Sequence, residues 1–129
     1  MNLGNPNRIK LFIIIIFFNF IPIFSLAENI NGNTVTIGAL DKITAKFSEF
    51  DINVGDTGTF GSLRIEIFQC QKRPPEELPE DFVLLQIFDY VDDQKPKIVF
   101  SGWMLSSSPS LSALEHPVYD IWLENCFIN

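Results

Sequence analysis

The sequence predicts an all-β fold, a compact antiparallel sandwich or small barrel of about six or seven short strands, preceded by a signal-peptide helix. Three observations carry this reading. Apolar and polar residues alternate with a period of two through much of the chain after residue 34, as half-buried strands require. Clusters of turn formers, such as Gly55-Asp56-Thr57-Gly58 and Ser106-Ser107-Ser108-Pro109-Ser110, interrupt the alternation at short intervals. With 129 residues the chain holds one domain at most.

The first stretch is expected to lie outside that domain. Arg8 and Lys10 precede an almost unbroken apolar run over residues 11–24, and Ser25-Leu26-Ala27 places small residues at the two positions that a signal peptidase recognises. Residues 1–27 are therefore expected to be a signal peptide, cut between Ala27 and Glu28. A helix needs about 20 apolar residues to cross a bilayer. This run is shorter and is interrupted by Asn19 and Pro22, so no stable membrane span is expected after cleavage. The first cysteine is Cys70, which leaves no acceptor for lipid attachment near the cut. The expected product is exported and soluble.

Charge narrows the partners. The whole chain carries −7 at a sequence pI of about 4.5, and residues 1–27 hold two of its nine basic residues and none of its sixteen acidic ones, which leaves the remainder at −9. Such a chain is repelled by phosphate backbones, and nucleic acid is not an expected partner. A hydrophobic content of 47% also excludes a low-complexity disordered chain.

Cys70 and Cys126 are the two cysteines, and in an oxidising compartment they are expected to pair. The closed loop, counted from Cys70 through Cys126, contains 57 residues, for which chain entropy gives roughly 4 kcal/mol. A redox dithiol would instead use close spacing such as Cys-x-x-Cys.

The elements follow in order. Residues 28–34 are polar and turn-prone and predict a flexible leader, with a single β-rich domain over 35–129. Ile43, Ala45 and Phe47 alternate with polar residues, then Phe50, Ile52 and Val54 do so on the other parity, which predicts a bulge or strand switch near Ser48-Glu49. After the turn at 55–58, Leu63, Ile65 and Ile67 face one way and Arg64 and Glu66 the other; continued regularly, this register puts Cys70 on the Arg64 side, at a strand end or rim. Three prolines between Lys72 and Asp81 exclude both helix and sheet interior there. Residues 82–91 are apolar on both parities, as in a strand covered on both faces, and 98–105 return as its hairpin partner. One helical turn near 111–115 and a last strand from Val118 to Cys126 complete the chain.

Few residues carry chemistry. His116 is the single histidine, with Glu115, Asp120 and a serine cluster nearby in sequence, but no nucleophile elbow accompanies it. A His-Pro turn shaping the last strand is the simpler reading, with a hydrolase using His116 as a third-ranked function. One histidine and two distant cysteines cannot supply the ligands of a zinc site. No metal and no cofactor is expected, and no catalytic residue is assigned. Lys72-Arg73-Pro74-Pro75 forms the one basic cluster, a proline-fixed segment that loses little entropy on docking. Together with Trp103, His116, Tyr119 and Trp122 it makes up the candidate interaction surface.

Several stretches carry a family resemblance: Gly38-Ala39-Leu40-Asp41-Lys42, Phe60-Gly61-Ser62-Leu63, Cys70-Gln71-Lys72-Arg73-Pro74-Pro75, and Val99-Phe100-Ser101-Gly102-Trp103-Met104 leading to Ala113-Leu114-Glu115-His116-Pro117-Val118-Tyr119-Asp120-Ile121-Trp122. Over roughly Gly38 to Cys126 the chain resembles the bacterial domain-of-unknown-function family 2155, small exported proteins typical of alphaproteobacteria. The resemblance implies bacterial export and a periplasmic address, and Cys70 and Cys126 fit the family pattern. It implies no activity. The expected function is that of a non-enzymatic periplasmic protein, an accessory or stabilising subunit of a cell-envelope complex, with a periplasmic or inner-membrane assembly, such as a respiratory one, as partner. The alternative is a small-ligand or glycan-binding β-domain that uses Trp103 and Trp122 as stacking platforms.

Overall fold

A computed structural model describes residues 4–18, 22–23, 26–92 and 94–129. The end of the apolar run, with Asn19, Phe24 and Ser25, lies outside the described residues. The elements are α1 (Pro6–Phe18), β1 (Ile30–Asn31), β2 (Thr34–Asp41), β3 (Lys46–Asn53), β4 (Thr57–Phe60), β5 (Leu63–Lys72), β6 (Asp81–Asp89), β7 (Lys97–Leu105), α2 (Pro109–Ser112), β8 (Leu114–Glu115) and β9 (Tyr119–Phe127). Six strands of 8–10 residues form the frame, and β1, β4 and β8 are short additions of 2–4. Among the described residues no helix is long and apolar enough to cross a membrane.

The strands make two antiparallel sheets. One has the order β1-β5-β6-β7, with β4 sharing the β5 edge with β1; the other has the order β3-β2-β9-β8. Alternation supplies the core between them. Val35, Ile37 and Ala39 of β2, Ile52 of β3 and Ile121 and Leu123 of β9 meet Leu63, Ile65 and Ile67 of β5, Val83, Leu85 and Ile87 of β6 and Met104 of β7, all buried. The fold is an all-β sandwich, as the alternation predicts; most of the 82–91 segment forms β6, an inner strand of its sheet, which is buried on its inward face and only partly covered on the other.

Three local expectations are corrected. The expected loose leader is partly built into the sheet: Ile30 and Asn31 pair with Lys72 and Gln71 of β5, and Gly32 N–H donates to Cys70 O at 2.9 Å. The parity change between Phe47 and Phe50 is not a bulge, since β3 runs in unbroken register against β2 from Asp41↔Lys46 to Thr34↔Asn53. The hairpin turns at 42–45 instead, where Asp41 Oδ1 accepts from the N–H groups of Ile43 and Thr44 and Ala45 takes a φ of 55°. Phe47 points outward and stacks on Trp122 at 5.9 Å between ring centroids. Third, β5 shifts register between Ile67 and Gln69, so Phe68 bulges outward and the next buried position is Cys70. The disulfide joining Cys70 and Cys126, with Cα atoms 5.9 Å apart, therefore sits in the core and not at a rim.

Gly32 lies against this disulfide. A Cβ there would come within 2.8 Å of Cys70 Sγ and 3.0 Å of Phe127 O, and it would also meet Cys126 Sγ. Gly32→Ala is expected to cost about 1–3 kcal/mol, because neither the crosslink nor the backbone can retreat. A lowered urea midpoint at unchanged slope checks this. Gly61, at φ 57° in the two-residue turn between β4 and β5, needs its freedom as well, with the Tyr119 ring packed on it.

Candidate functional site

The proline segment folds back so that Lys72, the last residue of β5, meets Asp81, the first of β6. Lys72 Nζ is 2.9 Å from Asp81 Oδ1 and 3.0 Å from Oδ2, and it also donates to Asn125 Oδ1 at 3.0 Å and to Cys126 O at 2.6 Å. Asp81 Oδ2 accepts from Cys126 N–H at 2.9 Å. This cluster links the two sheets beside the disulfide. Its neighbour Glu80, 9% exposed, accepts from Ser106 Oγ at 3.1 Å, from Ser107 N–H at 2.9 Å and from Ser107 Oγ. A cleft of about 420 Å³ lies over the cluster, bordered by Arg73, Pro74, Pro75 and Pro79. Lys72 is thus engaged in tying the two sheets together, and Arg73 is the cation of the pair left to the outer face, 3.9 Å from Glu77 with its guanidinium over the Phe82 ring at 5.7 Å.

Arg73 leads to the outer face of the five-stranded sheet. Cross-strand rows can be followed there from the register: Gln71, Phe82 and Leu105; Gln69, Leu84 and Trp103; Glu66, Gln86 and Ser101; Arg64, Phe88 and Ile98. The first two rows, with the bulged Phe68, make an apolar patch in which Phe68 is 52% and Trp103 42% exposed. A polar row separates it from a second apolar row, where Arg64 stacks over Tyr90 at 4.7 Å. The structure thus brings together Arg73 and Trp103, which the sequence placed on one interaction surface. Phe68, Phe82 and Leu84 belong to the same patch and were missed: Phe82 and Leu84 lie in a segment apolar on both parities that reads as covered on both faces.

The other candidates lie elsewhere. Trp122 is on the outer face of the four-stranded sheet, stacked on Phe47 and donating Nε1–H to Glu124. Trp103 and Trp122 thus stand on opposite faces of the sandwich and cannot form one stacking cleft. Trp122 borders a separate cleft of about 350 Å³ with Lys42, Leu114, Glu115 and Asp120, in which Lys42 pairs with Asp120 at 3.0 Å.

His116 finds its partner far away in sequence. Its Nε2 is 2.9 Å from Asp89 Oδ2, and its Nδ1 accepts from Val118 N–H at 3.1 Å, which assigns the proton of the neutral ring to Nε2. Ser62 Oγ donates to the other Asp89 oxygen at 2.7 Å, and the imidazole stacks on Tyr119 at 5.5 Å. In a nucleophilic triad the histidine takes the serine proton. Here Asp89 stands between them and both ring nitrogens are engaged, so Ser62 and His116 form a clasp joining the β4–β5 turn, the end of β6 and the approach to β9.

Glu80 and Asp89 have lowered pKa values. Burial pushes Asp89 up, but the hydrogen bonds from Ser62, His116 and Val91 outweigh it; for Glu80, burial is likewise outweighed by Ser107 and Ser106, with the Arg73 charge adding. Folded values below the unfolded ones mean stability that is present above the ordinary 3.8 of Asp89 and 4.5 of Glu80 and is lost as pH falls through the folded values. Denaturant midpoints are expected to be flat above about pH 5 and to fall below it, with Asp89→Asn and Glu80→Gln each flattening the acid limb.

The described residues contain no group of three or more His, Cys, Asp or Glu side chains able to hold a metal ion. Comparison with known proteins gives a consistent picture. Residues 35–126 match the family described as "Uncharacterized protein conserved in bacteria (DUF2155)". The chain is 37% identical over 112 residues to "Uncharacterized protein RP359" of Rickettsia prowazekii (strain Madrid E), a match covering 82% of this chain and 72% of that protein. No solved structure matches it. With the family pattern spanning β2 to β9, and so both sheets and both cysteines, the chain belongs to the bacterial DUF2155 family.

Proposed function

We propose that this chain is a non-enzymatic accessory protein of the bacterial cell envelope, periplasmic once residues 1–27 are removed, which stabilises a protein complex by docking through the outer face of its five-stranded sheet. The observation that carries this reading is the patch of Phe68, Phe82, Leu84 and Trp103 with Arg73 at its end. Exposed aromatic and arginine side chains in one cluster are what binding hot spots are made of. Arg73 and Arg64 stack at opposite ends of the face, near Phe82 and Phe88, about 20 Å apart along β6. In a chain of net charge −7 they select a partner surface with an apolar centre and carboxylates at that spacing. The basic start of the apolar run and the buried disulfide support the export this role requires.

Crosslinking of the tagged chain in intact cells, followed by binding to the purified partner, tests the reading. Trp103→Glu is expected to weaken binding by roughly 100-fold or more with the thermal midpoint unchanged, and Arg73→Glu by less. A partner bound equally well by Trp103→Glu would overturn it. A second reading, a small-ligand or glycan site, is favoured by the cleft beside Trp122; saccharides that change the fluorescence of the wild type but not of Trp122→Phe would support it.

A further inference from the structure

The Lys72 cluster sets an amine, a carboxamide and a carboxylate in hydrogen-bond contact: a nucleophile with an electrophile and a proton carrier beside it. Lys72 is in β5, Asp81 in β6 and Asn125 in β9 of the opposite sheet. Nζ stands 3.0 Å from Asn125 Oδ1, and a C=O bond of about 1.2 Å then places Asn125 Cγ no more than about 4.2 Å from it. The Asp81 carboxylate lies 2.9–3.0 Å from the same nitrogen through both oxygens, and its Oδ2 also accepts from Cys126 N–H. The Cys70–Cys126 crosslink holds both strand ends, so amine and carboxamide face one another at high effective concentration.

We propose that Lys72 and Asn125 condense into an intramolecular isopeptide bond, a reading independent of the docking face. Asp81 takes one proton from the Lys72 ammonium, and the neutral amine adds to Asn125 Cγ. The Cγ–Nδ2 bond breaks as the Nζ–Cγ bond is kept. One further amine proton passes to the departing nitrogen and the proton held by Asp81 leaves with it. One ammonium group and one carboxamide thereby become one secondary amide and one ammonium ion, with no oxidant or reductant needed. The cleft over the cluster gives the ammonium ion its way out. The product is a second covalent tie between the sheets, beside the disulfide, which survives reducing conditions that open the first.

Intact-mass measurement decides this on the full chain expressed with its own leader, then purified, reduced and unfolded. The wild type is expected to weigh about 17 Da less than its reduced sequence, the mass of one ammonia, with a branched peptide joining Lys72 to Asn125 after digestion. Lys72→Arg, which keeps the charge, and Asn125→Ala are each expected to show no deficit, and Asp81→Asn a deficit that is lost or slow to appear. An undiminished wild-type mass, a loss of about 18 Da with Lys72 joined to Asp81, or an ammonia loss mapped to other residues would overturn the proposal.

Discussion

Replacing Cys70 and Cys126 together by serine is expected to remove about 4 kcal/mol of stability, the largest effect of any change considered for this chain. The crosslink closes a loop of 57 residues counted from Cys70 through Cys126, and its removal returns that loop-closure entropy to the unfolded chain. Both sulfurs are also buried, at 1% and 0% exposure of their residues, so serine leaves hydroxyls in an apolar site. For a domain of about 100 residues this corresponds to roughly 20 °C in the thermal midpoint, and it approaches the whole stability of many small domains. Measured in the Lys72→Arg background, where no amine competes for a second tie, the difference in urea midpoint with and without the disulfide isolates the crosslink. A loss below about 1 kcal/mol would mean that the unfolded chain is already compact around these strand ends.

The second large effect is expected at Asp89. Its carboxylate accepts from Ser62 Oγ, His116 Nε2 and Val91 N–H. Asp89→Ala leaves all three donors without their acceptor at a site where the Asp89 and His116 side chains are 13% and 11% exposed. The expected cost is about 3 kcal/mol, whereas Asp89→Asn, which keeps the oxygen that accepts from Ser62 Oγ and Val91 N–H and loses the one facing His116, costs about 1. A double-mutant cycle with His116→Ala separates the pair from the rest. If the coupling is near zero, His116 is held by Val118 and by its stacking on Tyr119, not by Asp89.

How far the sequence discloses this fold depends on where alternation continues unbroken. In β6 every second residue from Val83 to Ile87 is buried, and in β9 the same spacing holds as far as Leu123; both strands were legible, as was the β6–β7 hairpin. In β5 it is regular up to Ile67, and one unpaired residue then inverts everything after it. Nothing in Ile67-Phe68-Gln69-Cys70 marks that step, since no glycine or proline stands there, and so the disulfide was expected at a rim. The turn at 42–45 was hidden for a similar reason. It is made by Asp41 accepting from backbone N–H groups ahead of it, a signal carried by one aspartate among residues that also suit a strand. Phe47 then looked like a core residue because an aromatic covering a tryptophan on an outer face has the same composition as one beneath it.

The site was less legible than the fold. Arg73 and Trp103 could be named as surface candidates, but Phe82 and Leu84, the residues that join them, were expected to be covered. His116 was weighed against Glu115 and Asp120, its neighbours in sequence, whereas its partner Asp89 lies 27 residues away and is reached only when the two sheets stack. The Lys72–Asp81–Asn125 cluster depends on the same stacking, with 53 residues separating Lys72 from Asn125.

The first and last strands also settle how the domain bears load. Asn33 N–H donates to Phe127 O at 3.0 Å, and Asn129 N–H donates to Asn33 Oδ1 at 2.8 Å, so the chain enters and leaves the sandwich at one point. Tension applied between those two ends falls first on this point, which the Cys70–Cys126 bond reinforces. The β1–β5 pairing and the disulfide take that load at one corner of the sandwich, so the domain can be tethered at both ends, or inserted into another chain as a module, through that corner.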